Sequence, residues 1–110
     1  MAEPTLAQIF GAGATQDANT LTIQKSALAT VGLTASGNNT AESLFVALVL
    51  KAKDYLTATA LESNADQNIS IADGYVPSFI IRNNVTYRQD DITVSMQKSA
   101  GSTTIDPDDY

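Results

Sequence analysis

The stretch from Asn38 to Leu56, NNTAESLFVALVLKAKDYL, carries seven consecutive apolar residues, Leu44 to Leu50, between polar flanks. Asn39 with Glu42 three residues later has capping-box spacing, with Asn in place of the usual Ser or Thr. It predicts a helix from there to about Leu56, with room to continue through the Ala-rich TATALES. On a wheel of about 100° per residue, Ala41, Leu44, Phe45, Leu48, Val49, Ala52, Tyr55 and Leu56 fall within a stripe about 140° wide, the expected core face. Val46 and Leu50 land about 130° to 170° from its centre, so the polar side has an apolar ridge of its own. Two coverings fit that ridge. One is the chain's own N-terminal segment with Leu6, Ile9 and Phe10, or the turn at Leu28. The other is a neighbouring subunit, because contiguous exposed apolar surface marks an interface.

Around this helix the chain is short and acidic. Its 110 residues suffice for one domain that buries about two-thirds of its unfolded surface. Six Lys and Arg against twelve Asp and Glu give a net charge of -6, which opposes binding to nucleic acid or to an anionic membrane. Cys and His are both missing, which removes disulfides, thiolate nucleophiles, the commonest general base and the commonest transition-metal ligand. No apolar run approaches the ~20 residues of a membrane span. The start MAEPTLAQIF lacks the basic and apolar regions of a signal peptide, so secretion by that route is not expected.

N-terminal to the helix, Leu6 to Phe10 reads as a short helix stopped by Gly11-Ala12-Gly13, and Ala14 to Asn19 as a flexible arm or loop. Leu21 to Gln24 alternates as a short strand, and Ser26 can cap a helical turn through Ala27 to Ala29 that Gly32 ends. C-terminal to the helix the period changes. Ile69 and Ile71 alternate with polar residues, Asp73-Gly74 is a turn signal, and Pro77 places Tyr75 to Ile81 on an edge strand or at the start of one. Val85 to Tyr87 and Ile92 to Met96 read as a β-hairpin with Arg88 to Asp91 at its tip, where Asp90 and Asp91 discourage stray strand pairing. Residues 99–110 read as an extended acidic tail. The expected architecture is α+β: one principal helix packed on a small antiparallel sheet, with residues 1–19 as an N-terminal arm, 20–98 as the domain and 99–110 as the tail.

No motif specifies a reaction. Asp106, Asp108, Asp109 and the terminal carboxylate offer oxygen ligands of the type Ca²⁺ takes, but a mobile tail loses chain entropy on closing around an ion. A solvated tail or a docking strand is the preferred reading. Asp66 to Gly74 lacks the spacing of a calcium-binding EF-hand loop, and Gly11-Ala12-Gly13 lacks the strand and the Gly-Lys-Ser/Thr ending of a phosphate loop. No catalytic residue, cofactor, metal or small-molecule substrate is expected.

The chain is rich in Ala, Thr, Ser and Asn, with the segments RNNVTYRQDDITVSMQ and STTIDPDDY after its one apolar helix. In that whole-chain style it resembles the small virion proteins of tailed bacteriophages. The resemblance implies a structural, non-enzymatic subunit, either capsid decoration or a head-tail connector or tail component. Such a subunit is assembled in the host cytoplasm and works through contacts with copies of itself and with other virion proteins. Candidate interface residues are Val46, Leu50, Phe10, Ile9, Phe79, Ile81, Ile105 and Tyr110. The alternative reading is a small acidic adaptor or regulator that binds one cytoplasmic protein.

Overall fold

The computed structural model describes residues 2–74, 76–98 and 105–110. Tyr75 and residues 99–104, which the sequence assigns to the edge strand and the tail, lie outside them. The first helix, α1 (Leu6–Phe10), begins at a capping box in which Thr5 and Gln8 satisfy each other's backbone N–H groups, at 3.2 and 2.9 Å. It packs on the principal helix α2 (Ala41–Tyr55), so this part of the N-terminal segment is docked instead of forming a loose arm. The polar stretch after it is also ordered. β1 (Thr15–Gln16) pairs antiparallel with β2 (Leu21–Thr22), and the Asp17 carboxylate accepts from the backbone N–H groups of Asn19 and Thr20 at the turn. A 3-10 segment, Lys25–Val31, follows, and Gly32 ends it at φ 99° as the sequence predicts.

Helix α2 is capped by Thr40, not Asn39. The Thr40 hydroxyl accepts from the Ser43 N–H at 3.1 Å, while the Asn39 amide ties the preceding loop to Ser36 and Thr34. The helix stops at Leu56, where φ −85° and ψ 63° with a Thr57 N–H to Tyr55 carbonyl bond make an inverse γ-turn. Thr57 then caps a separate helix, α3 (Ala58–Ser63), through its hydroxyl. TATALES is therefore helical but does not continue α2, because the Thr57 hydroxyl supplies a new start.

The remaining strands are β3 (Ile69–Asp73), β4 (Ser78–Arg82), β5 (Val85–Gln89) and β6 (Ile92–Met96). Their pairing corrects the expected hairpin. β5 does not pair with β6; β4 pairs with β5 and β3 with β6, so the four strands form one long two-stranded antiparallel ribbon. The tip is the two-residue turn Asn83-Asn84, whose φ values of 52° and 63° fit a type I′ turn. Asp90 and Asp91 stand midway, where the register moves from Asp73↔Ile92 to Ser78↔Gln89, a bulge in the ribbon. The Gly74 N–H donates to the Asp91 carbonyl at 2.7 Å, and a Cβ on Gly74 would lie 2.6 Å from that oxygen. Only glycine fits so close a crossing.

The inner half of the ribbon, β3–β6, rests on the helices. The Ile71 N–H donates to the Leu56 carbonyl at 2.7 Å, Lys53 pairs with Asp73 at 2.6 Å, and the buried Gln67 amide donates to the Thr57 and Ile69 carbonyls. Among the described residues the buried apolar side chains are Leu28, Ala47, Leu56 and Ile71, a thin core. The outer half, β4–β5, is exposed along all ten of its residues. The molecule is correspondingly open. Its radius of gyration is 16.3 Å, where a compact chain of this length has ~13 Å.

Candidate interaction surface

The inward face of α2 follows the predicted stripe in part, with Leu56 at its end buried and Leu44, Leu48, Val49, Ala52 and Tyr55 half-buried. Ala47, outside the expected stripe, is the buried residue of the helix, whereas Phe45 and Ala41, both inside the stripe, are exposed. A Cβ on the buried Gly11, at φ 104°, would meet the Ala27 Cβ at 2.6 Å and the end of the Lys51 side chain at 3.6 Å, so the end of α1 lies close against the 3-10 segment with Lys51 of α2 reaching over it. Lys51 lies along this junction with its ammonium donating to the Thr30 hydroxyl at 3.3 Å. Phe45, inside the stripe, is left 68 % exposed.

The candidate interface residues consequently separate. Ile9 and Phe10 are half-buried on α1, the element docked on α2. Leu50 is half-buried at a cleft of about 460 Å³ between α2 and the loop Val31–Thr34, so its surroundings come from its own chain. Val46, on the rim of the same cleft, is 54 % exposed. Phe79 and Ile81 on β4 are 74 % and 75 % exposed, and Ile105 is also exposed. Tyr110 is half-buried with the Lys98 ammonium 6.0 Å from its ring centre, and Lys98 also reaches Asp109 at 3.4 Å, so the acidic end lies back beside the end of β6.

Two apolar features come together from this arrangement. The first is the β4–β5 arm. Strand alternation puts Phe79 and Ile81 on one face with Thr86 and Arg88 opposite them, and Ile80 and Tyr87 on the other, with the Arg82 guanidinium 4.6 Å from the Tyr87 ring centre. The second is a trough of about 290 Å³ between α2 and β6, lined by Phe45, Val46, Val49, Ile92 and Val94, with Asp90 at its edge. Its volume is at the low edge of the roughly 300–1,000 Å³ of small-molecule sites. Of the trough residues, Val46 alone stood among the candidates. A sequence signal for the arm existed in Phe79-Ile80-Ile81, where consecutive apolar residues load both faces of one strand. Phe45 had no such signal, because it sits within the apolar stripe that reads as the core face.

The ionisable groups offer little chemistry. Asp17 has its carboxyl held below the usual range by the backbone N–H groups of Asn19 and Thr20, and it is fully exposed at a turn. The cleft at Leu50 is lined by no ionisable side chain. Among the described residues no three acidic side chains are grouped closely enough to share an ion, and no described helix is long and apolar enough to cross a membrane. Comparison with protein families, with curated proteins and with solved structures gave no match.

Proposed function

We propose that this chain is a non-enzymatic structural subunit of a phage particle, with capsid decoration ahead of a connector or tail role, and that it works by protein-protein contact. The observation that carries the reading is the β4–β5 arm. Apolar side chains stand on both of its faces, and among the described residues no further strand pairs with either edge. A lone two-stranded ribbon is marginal in water, and exposed edges invite pairing with another chain. Such an arm is stabilised when a neighbour covers it, which is how an assembly subunit behaves. The small-residue, Cys-free composition and its resemblance to small virion proteins direct the reading toward a phage particle. Quantitative mass spectrometry of purified particles from the host that produces the chain tests it. Many copies per particle are expected for decoration and a handful for a connector or tail; absence from particles that form while the chain is expressed would reject the reading.

A further inference from the structure

Building on the assembly role proposed above, we infer that the neighbour is a second copy of this chain, bound head to tail, with the β4–β5 arm of one copy seated by Phe79 and Ile81 in the Phe45–Val46–Val94 trough of the next. Three observations converge on that occupant. The arm presents two adjacent same-face apolar side chains about three-quarters exposed, and the trough presents an open apolar recess between a helix and a strand, so each lacks what the other supplies. Between Gly74 and Gln89 the sequence has Arg82 and Arg88 and no acidic residue, in a chain of net charge -6. Arg88 is paired with Asp90 of its own chain at 3.0 Å, so the arm's remaining positive charge is Arg82, while the rest of the chain is more negative than the whole and places Glu42 one helical turn from Phe45. Arm against arm would oppose like charges, whereas arm against body joins unlike ones, and complementarity of that kind selects the mode of contact. Finally, the accessible surface of 8067 Å² exceeds the ~5,800 Å² of a compact chain of this mass by more than the ~1,600 Å² that two standard interface sides, one for the arm and one for the trough, would cover.

A contact between two different patches of the same chain is heterologous, so it closes into rings or propagates as a filament. The two patches can be disabled separately. Phe79→Thr with Ile81→Thr retains strand preference on the arm, and Phe45→Glu with Val46→Glu retains helix preference at the trough, and all four side chains are exposed. Light scattering with size-exclusion chromatography should show wild-type mass rising with concentration beyond a dimer, or a ring of fixed order. Each double variant should weaken association at least about tenfold and run as a monomer with an unchanged far-ultraviolet circular dichroism spectrum. Mixing the two variants leaves one intact arm and one intact trough, so a one-to-one dimer is expected. A mixture that remains monomeric, or a wild type that is monomeric throughout, overturns the inference. If that monomer is nevertheless found in particles, the structural role stands and the arm belongs to a different virion protein; a wild type that assembles yet is missing from particles leaves the head-to-tail contact standing and rejects the particle role.

Discussion

Leu50 and Val46 sit four residues apart on α2 and read alike in the sequence, yet their surroundings differ. Leu50 is half-buried against a loop of its own chain, while Val46 faces water over more than half its surface. A charge at Leu50 must be desolvated in part, so Leu50→Asp should destabilise the fold by about 1–3 kcal/mol. For a domain of this size that lowers the melting temperature by roughly 5–20 °C. Val46→Asp should change it by no more than the equivalent of ~0.5 kcal/mol. A calorimetric melt of the two variants checks the contrast; equal effects would mean that both residues share one environment. The same residue-scale logic applies at Gly11 and Ala47. Ala47 is the buried residue of α2, and a Cβ at Gly11 would meet the Ala27 Cβ at 2.6 Å, so both places rely on small side chains that hydropathy on a wheel does not weigh.

At the scale of elements, local signals placed α1, the stop at Gly32, α2 and the strand stretches close to where they lie, because caps, glycine stops and alternation act within a few residues. Pairing was harder to read. Asp90-Asp91 has the composition of a turn, but the chain reverses at Asn83-Asn84, where positive φ at both residues gives the twist that a two-residue hairpin requires. Asn tolerates that conformation less well than Gly. Asn84→Gly should therefore stabilise the arm by about 0.5 kcal/mol and slow hydrogen exchange of the amides that close the turn about twofold. Nuclear magnetic resonance of the variant reads this directly, and no change would place the reversal elsewhere. Asp90-Asp91 instead stand where the register of the ribbon shifts, and Gly74 crosses the Asp91 carbonyl there at 2.7 Å.

For the molecule as a whole, the ribbon divides into a supported half and an unsupported one. The Ile71 N–H is anchored to the Leu56 carbonyl and Lys53 holds Asp73, while among the described residues the backbone bonds of β4–β5 are those of its own ladder. At concentrations low enough to keep the chain monomeric, amides of Ser78–Arg82 and Val85–Gln89 should exchange at least about tenfold faster than those of β3 and β6. Equal protection would mean that the arm is stable without a partner. Composition had already excluded disulfide and thiolate chemistry, and periodicity had placed one helix beside a small antiparallel sheet. Both rest on residue types and short-range spacing, which the chain carries whether or not it is folded. Which flank of the helix is covered, where the ribbon turns, and that Phe45, Phe79 and Ile81 remain exposed were decided in three dimensions. These depend on tertiary contacts such as that of Gly11 with Ala27 and on which strand pairs with which, contacts between residues far apart in the chain that no local pattern encodes.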